Sequence, residues 1–189
     1  MNKNNHYEAI VIGGSAGSFK MVLKILNNIP ANFKLPIIMV LHRLKDIKHG
    51  FKEALSIKST KPVYEPSDSE VIKSGNVYLA PANYHIVVKP GFKFSLSKGK
   101  VVNHSRPAID ITFNSASNVY ENKLIGILLS GANKDGALGM KKIKDNGGLT
   151  IIQDPAECLV DTMPVAALDL TEIDHIYKVD EIINFLLGL

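Results

Sequence analysis

At 189 residues, 46 % apolar and 21 % charged, the chain fits one globular domain that buries roughly two thirds of its unfolded surface, and its composition excludes disordered, collagen-like and disulfide-scaffold classes. The lone Cys158 has no bridge partner and no C-x-x-C or Cys/His ligand pair, so no metal site is expected and a reducing compartment fits. A net charge of +4 spread over scattered lysines gives no basic stripe for nucleic acid.

The amino terminus, Met1 to Tyr7, is polar, and every apolar run stops short of the roughly eighteen residues of a membrane span. A cytoplasmic protein without an integral membrane segment is expected. The apolar stretch Ala9-Ile10-Val11-Ile12 within Glu8–Gly13 predicts a buried strand that runs straight into Gly14-Ser15-Ala16-Gly17. Phe19, Val22, Leu23, Leu26 and Ile29 then recur at helical spacing until Pro30 stops them. Ile37 to Leu41 predicts a second strand, about Gly50 to Lys58 a second helix, and Val63 the start of a weaker third strand.

From Gly75 to Val102 the pattern turns to short β segments at 77–79, 86–88 and 92–96, broken by Pro81, Asn83, Pro90-Gly91 and Gly99, which predicts an antiparallel hairpin insertion. Pro107 is placed in the first turn of a helix reaching about Tyr120. Leu124 to Leu129 is a strongly apolar strand, followed by the turn-rich loop Ser130 to Gly136 and a helix ended by Gly147-Gly148. A strand at 149–152, a helix near 163–170, a short strand at 175–177 and a helix from Asp180 complete the chain. The alternation predicts an α/β fold: a doubly wound, mostly parallel sheet in a Rossmann-like three-layer arrangement, carrying the hairpin insertion, in a single domain.

Ligands of such sheets bind beyond the carboxyl ends of the strands. Ser15, His42 and Asp135 each follow a predicted strand, so all three fall on that edge. A serine hydroxyl needs an imidazole to take its proton and a carboxylate to hold the imidazole, and the edge supplies each. Glycines beside Ser15 suit a tight turn whose amides and following helix face an oxyanion. Taken singly, each residue has another reading: the glycine turn as a phosphate cradle or plain structural turn, His42 as a structural or solvated histidine, Asp135 as a turn former beside Asn133 and Gly136. Asp110 is the next acid to consider should Asp135 not serve.

Four stretches resemble the catalytic domain of the chemotaxis protein-glutamate methylesterases, the CheB family. They are Ile12-Gly13-Gly14-Ser15-Ala16-Gly17-Ser18, the strand-end Val40-Leu41-His42, Gly75 to His85 followed by Arg106-Pro107-Ala108-Ile109-Asp110, and Leu129 to Ala137. The resemblance implies hydrolysis of glutamyl methyl esters, with glutamine deamidation as a related activity, by a Ser15–His42–Asp135 triad without a cofactor. It also implies Ala16, Gly17, Ala132, Arg106 and His85 as substrate or oxyanion-hole candidates, although a hairpin histidine and a helix-start arginine are as readily structural. The expected partner is a methylated chemotaxis receptor or similar acidic helical protein, drawn by Lys20, Lys24, Arg43 and Lys134.

No receiver domain like the family's usual one is expected within this chain, since the pattern begins by residue 8; the chain is either a stand-alone form, with a separate receiver-type regulator as a candidate partner, or a piece cut from a longer protein. The chain departs from the family at Ala16, Ser18, Leu41 and Ala132, where Thr, Gly, Gln and Met are usual. Two other functions therefore stay open: a catalytically degenerate signalling or binding module, and a phospho-ligand-binding domain.

Overall fold

The computed structural model describes residues 7–42 and 50–189. Its main layer is a seven-stranded sheet, parallel throughout, in the order β3-β4-β2-β1-β7-β8-β9. The strands are β1 (Ala9–Gly14), β2 (Ile37–Leu41), β3 (Val63–Tyr64), β4 (Val77–Leu79), β7 (Leu124–Leu128), β8 (Leu149–Gln153) and β9 (His175–Tyr177). Helices α1 (Ser18–Asn28), α2 (Phe51–Lys58) and α6 (Val179–Leu187) cover one face, and α3 (Ile109–Tyr120), α4 (Ala137–Asp145) and α5 (Thr162–Leu170) the other.

Both faces of the sheet are covered, so the central strands are apolar without alternation. Ile10 and Ile12 pack with Val22, Ile25 and Leu26 of α1, while Ala9 and Val11 face Phe113 of α3 and Met140 of α4 in the opposite core. The doubly wound α/β arrangement expected from the sequence is the one observed.

Two expectations need correction. The segment at 77–79 does not belong to the hairpin insertion: β4 pairs in parallel with β2 through Ile37↔Val77 and Met39↔Leu79, and its buried Tyr78 hydroxyl accepts from the Lys73 amide. Only β5 (His85–Lys89) and β6 (Lys93–Ser97) pair antiparallel. Pro107 lies before the helix, not in its first turn, because the extended Ala108 is the N-cap of α3. Among the described residues no helix is long and apolar enough to cross a membrane.

The order of the sheet fixes the functional edge. From β1 the chain moves to β2 on one side and later returns to β7 on the other, so β1 stands at the topological switch point where a crevice opens. Register carries all three loops to the same height: Gly14 lies opposite Leu41 and Gly13 opposite Leu128. Past the strand ends, the His42 amide donates to Gly14 O at 3.1 Å and the Ser15 amide to Ser130 O at 2.9 Å.

Candidate active site

His42 and Asp135, 93 positions apart in sequence, meet at this edge, with His42 Nε2 2.8 Å from Asp135 Oδ2. The carboxylate is fully buried, whereas the His42 side chain keeps 11 % exposure. Burial works to raise the Asp135 carboxyl, but hydrogen bonds from His42, Asn103 and the Asp110 and Ile109 amides outweigh it and hold the group below the usual carboxylate range. An ionised carboxylate only accepts, so Nε2 carries the ring proton and Nδ1 is left as the basic nitrogen.

The Asp135 carboxylate is held on a helix terminus. The amides of Ile109 and Asp110, the first two residues of α3, donate to its two oxygens at 2.7 and 3.1 Å. Asp110 returns the arrangement, since its Oδ1 accepts from Gly136 and Gly139 at the start of α4 at 2.9 and 2.8 Å. Asn103 Nδ2 joins the carboxylates by donating to Asp135 Oδ1 at 3.0 Å and Asp110 Oδ2 at 2.9 Å. Burial, together with the neighbouring Asp135 charge, raises Asp110 to about 6 against the hydrogen bonds it accepts. The sequence contained Asp110 inside a motif stretch, but nothing in it pointed to Asn103, which a left-handed loop conformation (φ 49°) brings into place.

Ser15 is half-buried beside His42, one residue beyond the paired Gly14 and Leu41. Among the described residues its hydroxyl makes no hydrogen bond, and apo sites often leave such a bond unmade. The amides of Ala16, Gly17 and Ala132 likewise donate to no described group. Ala16 and Ala132 are exposed, and Gly17 borders a cleft of about 600 Å³ shared with Phe19, Cys158 and Leu159. Burial, with Asp161, Glu157 and Asp154 nearby, pushes the Cys158 thiol up to about 11, which leaves it unreactive as a nucleophile at neutral pH.

Two candidate substrate residues are engaged by other groups of the protein, His85 buried and Arg106 half-buried. His85 is 2 % exposed, with Nδ1 accepting from the Ala108 amide and Nε2 meeting Lys100 O. Arg106 clamps the hairpin region through Asn83 Oδ1 and the carbonyls of Lys98 and Gly99. Both side chains are committed to holding residues 83–108 together, which leaves no ring nitrogen of His85 for a substrate. Lys24 is engaged by Asp180 at 2.6 Å, Lys20 and Lys134 are exposed, and Arg43 lies outside the described residues. Among the described residues no three His, Cys, Asp or Glu side chains converge as a metal-binding group.

A doubly wound parallel sheet with an imidazole–carboxylate couple, a free hydroxyl and unpaired turn amides at its switch point defines an α/β protein built for hydrolytic chemistry. The chain belongs to the CheB methylesterase family, whose model matches residues 10–186.

It is 43 % identical over 184 residues to a putative protein-glutamate methylesterase/protein-glutamine glutaminase of Leptospira interrogans, covering 97 % of this chain and 95 % of the relative. A protein-glutamate methylesterase/protein-glutamine glutaminase of Clostridium acetobutylicum is 34 % identical over 96 % of this chain, which spans 54 % of that protein's length. The crystal structure of the Thermotoga maritima CheB methylesterase catalytic domain superposes with a TM-score of 0.91 at 33 % identity, covering 96 % of this chain and 98 % of that one.

Proposed function

We propose that this chain hydrolyses glutamyl methyl esters on a methylated chemotaxis receptor or a similar acidic helical protein in the cytoplasm, with deamidation of glutamine at such sites as the related reaction. The observation that carries this reading is the 2.8 Å His42–Asp135 couple at the switch-point edge beside Ser15, in a chain of the methylesterase family. His42 Nδ1 takes the proton of Ser15 Oγ as the oxygen attacks the ester carbonyl, then returns it to departing methanol. Water enters by the same route, giving glutamate and free Ser15. Asp135 keeps the proton on Nε2 and stabilises the imidazolium that forms, and the amides at Ala16, Gly17 and Ala132 are the donors available to the oxyanion.

Ser15→Ala and His42→Ala are each expected to abolish most methanol release from a methylated receptor preparation while leaving the circular-dichroism melt nearly unchanged. Full activity in folded Ser15→Ala protein would end the assignment. Asp135→Asn is expected to cut turnover by about 10⁴-fold, the scale of the wrong-tautomer effect in triads. It should lower the melting temperature as well, because an amide cannot accept from His42, Asn103 and two helix-start amides together.

The family's usual Thr and Met are absent at Ala16 and Ala132, which keeps a binding-only role as the second reading. Receptor capture without methanol release, and without labelling of Ser15 by a fluorophosphonate, would select it. Nucleotide binding by calorimetry with no labelling would select a phospho-ligand module.

A further inference from the structure

The turn bearing Ser15 is held by two hydroxyls that the proposed reaction does not consume. Ser18 donates to Ser15 O from its amide at 3.0 Å and its Oγ at 2.7 Å. That amide bond closes a four-residue turn from Ser15 to Ser18. Gly17 sits at φ 85°, ψ −17°, and Ala16 is not among the residues with positive φ. These values define a type II turn, whose third residue must occupy the left-handed region. A type II turn differs from type I in the direction of its central peptide, here Ala16 C=O with Gly17 N–H.

Ser130 Oγ lies 2.7 Å from Ala16 O, 2.9 Å from Val160 O and 3.1 Å from the Val160 amide. Ser130 is 1 % exposed, its amide is bonded to the buried Gln153 Oε1 at 3.0 Å, and its carbonyl accepts the Ser15 amide at 2.9 Å. The hydroxyl has a single proton, which in the shorter contact goes to Ala16 O while the oxygen accepts from the Val160 amide, so the Ala16 oxygen is held on the β7 side of the turn. In a planar trans peptide the C=O and N–H point in opposite directions. Pinning Ala16 O therefore aims the Gly17 N–H away from β7, and pinning Ser15 O aims the Ala16 N–H outward in the same manner. Neither amide has a described partner.

We propose that Ser130 is a positioning residue for ester hydrolysis: its hydroxyl locks the central peptide of the turn so that the Gly17 N–H faces the carbonyl oxygen of an ester attacked by Ser15. The proposal rests on the esterase reading above. Without the Ser130 hydroxyl no other described group holds the Ala16 oxygen, and the central peptide is free to turn over. An oxyanion donor is lost when it does, while the nucleophile and its base remain.

The test compares Ser130→Thr with Ser130→Val, side chains of the same shape that differ in the hydroxyl, on p-nitrophenyl acetate and on a methylated receptor preparation. Ser130→Val is expected to lower kcat about 10- to 100-fold, below the roughly 10²- to 10³-fold cost of removing a donor outright. KM should stay within about twofold, and Ser130→Thr should keep near wild-type kcat. Affinity for a trifluoromethyl ketone, which forms a charged tetrahedral adduct, should fall in parallel with kcat/KM.

Full kcat in Ser130→Val, a loss confined to KM, or a loss of kcat with unchanged ketone affinity would each overturn the role of Ser130. Wild-type protein that hydrolyses p-nitrophenyl acetate but not the methylated receptor would overturn the substrate, with the two variants still judging Ser130. Wild type inert on both would overturn the esterase reading itself. Thermal melts of both variants distinguish a misdirected peptide from a collapsed fold.

Discussion

Asp110 and Asp135 show how one pair of acids takes different work from different surroundings. Asp135, held below its ordinary range by four donors, stabilises the fold as an anion; that contribution is present above the unfolded carboxylate value and is lost as pH falls through the folded one. Asp110, raised by burial to about 6, has the opposite sign. Its folded form binds a proton more tightly than its unfolded form, so its contribution is complete below about pH 4, the unfolded carboxylate value, and is lost as pH rises through 6.

Wild-type melting temperature is therefore expected to carry a downward component between pH 4 and 6 that Asp110→Asn removes. Identical pH profiles for the two proteins would rule out Asp110 as its source. Lys134 and Asp169 line the same crevice as Asp110, so Lys134→Gln and Asp169→Asn serve as controls for their charges. The His42–Asp135 pairing was readable in the sequence because each residue follows an apolar strand. The Asn103 bridge was not, because it depends on a loop conformation that no periodic pattern encodes.

At the scale of elements, α3 and α4 cap each other: the acid before α4 receives the first amides of α3, and the acid in the first turn of α3 receives those of α4. Close approach of the two helices is what brings these groups into reach. Gly139 permits it, since a Cβ built there would lie 2.5 Å from Phe113 Cβ. Gly139→Ala gains about 1 kcal/mol of helix propensity but meets a contact that can be relieved only by moving a helix. A net loss of about 1–3 kcal/mol is expected, read as a lower urea midpoint, with turnover falling as Asp135 shifts.

The helix α1 is legible from apolar spacing, and α4 from the turn-rich loop before it and Gly147-Gly148 after it. The three-residue β4 was grouped with the hairpin because Gly75, Pro81 and Asn83 surround it with the same turn formers. Its partner β2 is distant in sequence, and the parallel pairing with β2, backed by the shared core of Tyr78, Ile38 and Phe94, is a nonlocal contact that turn formers do not announce.

Across the whole molecule, alternation of strands and helices revealed the class of fold, while the position of β1 between β2 and β7 follows from nonlocal pairing that the sequence does not print. That order gathers the loops after three strands into one rim, which carries lysines, the exposed acids Glu157 and Asp161, and apolar side chains. Lys20 and Lys134 are exposed on it, with Leu138 at 63 % and Leu159 at 79 % exposure nearby.

An acidic helical substrate would gain encounter rate from the two lysines at low ionic strength. That gain fades once the screening length drops to a few ångströms. Neither lysine touches the proposed proton path, so the paired Lys20→Gln, Lys134→Gln change should act on KM and leave kcat alone. We expect KM for a methylated receptor to rise several-fold at about 0.05 M salt and to converge on the wild-type value near 1 M, where the Debye length is roughly 3 Å. For uncharged p-nitrophenyl acetate the two proteins should be indistinguishable at every salt concentration. A KM difference that persists unchanged at high salt would place the effect in contact geometry, and the rim would then owe its selectivity to Leu138 and Leu159 in place of its charge.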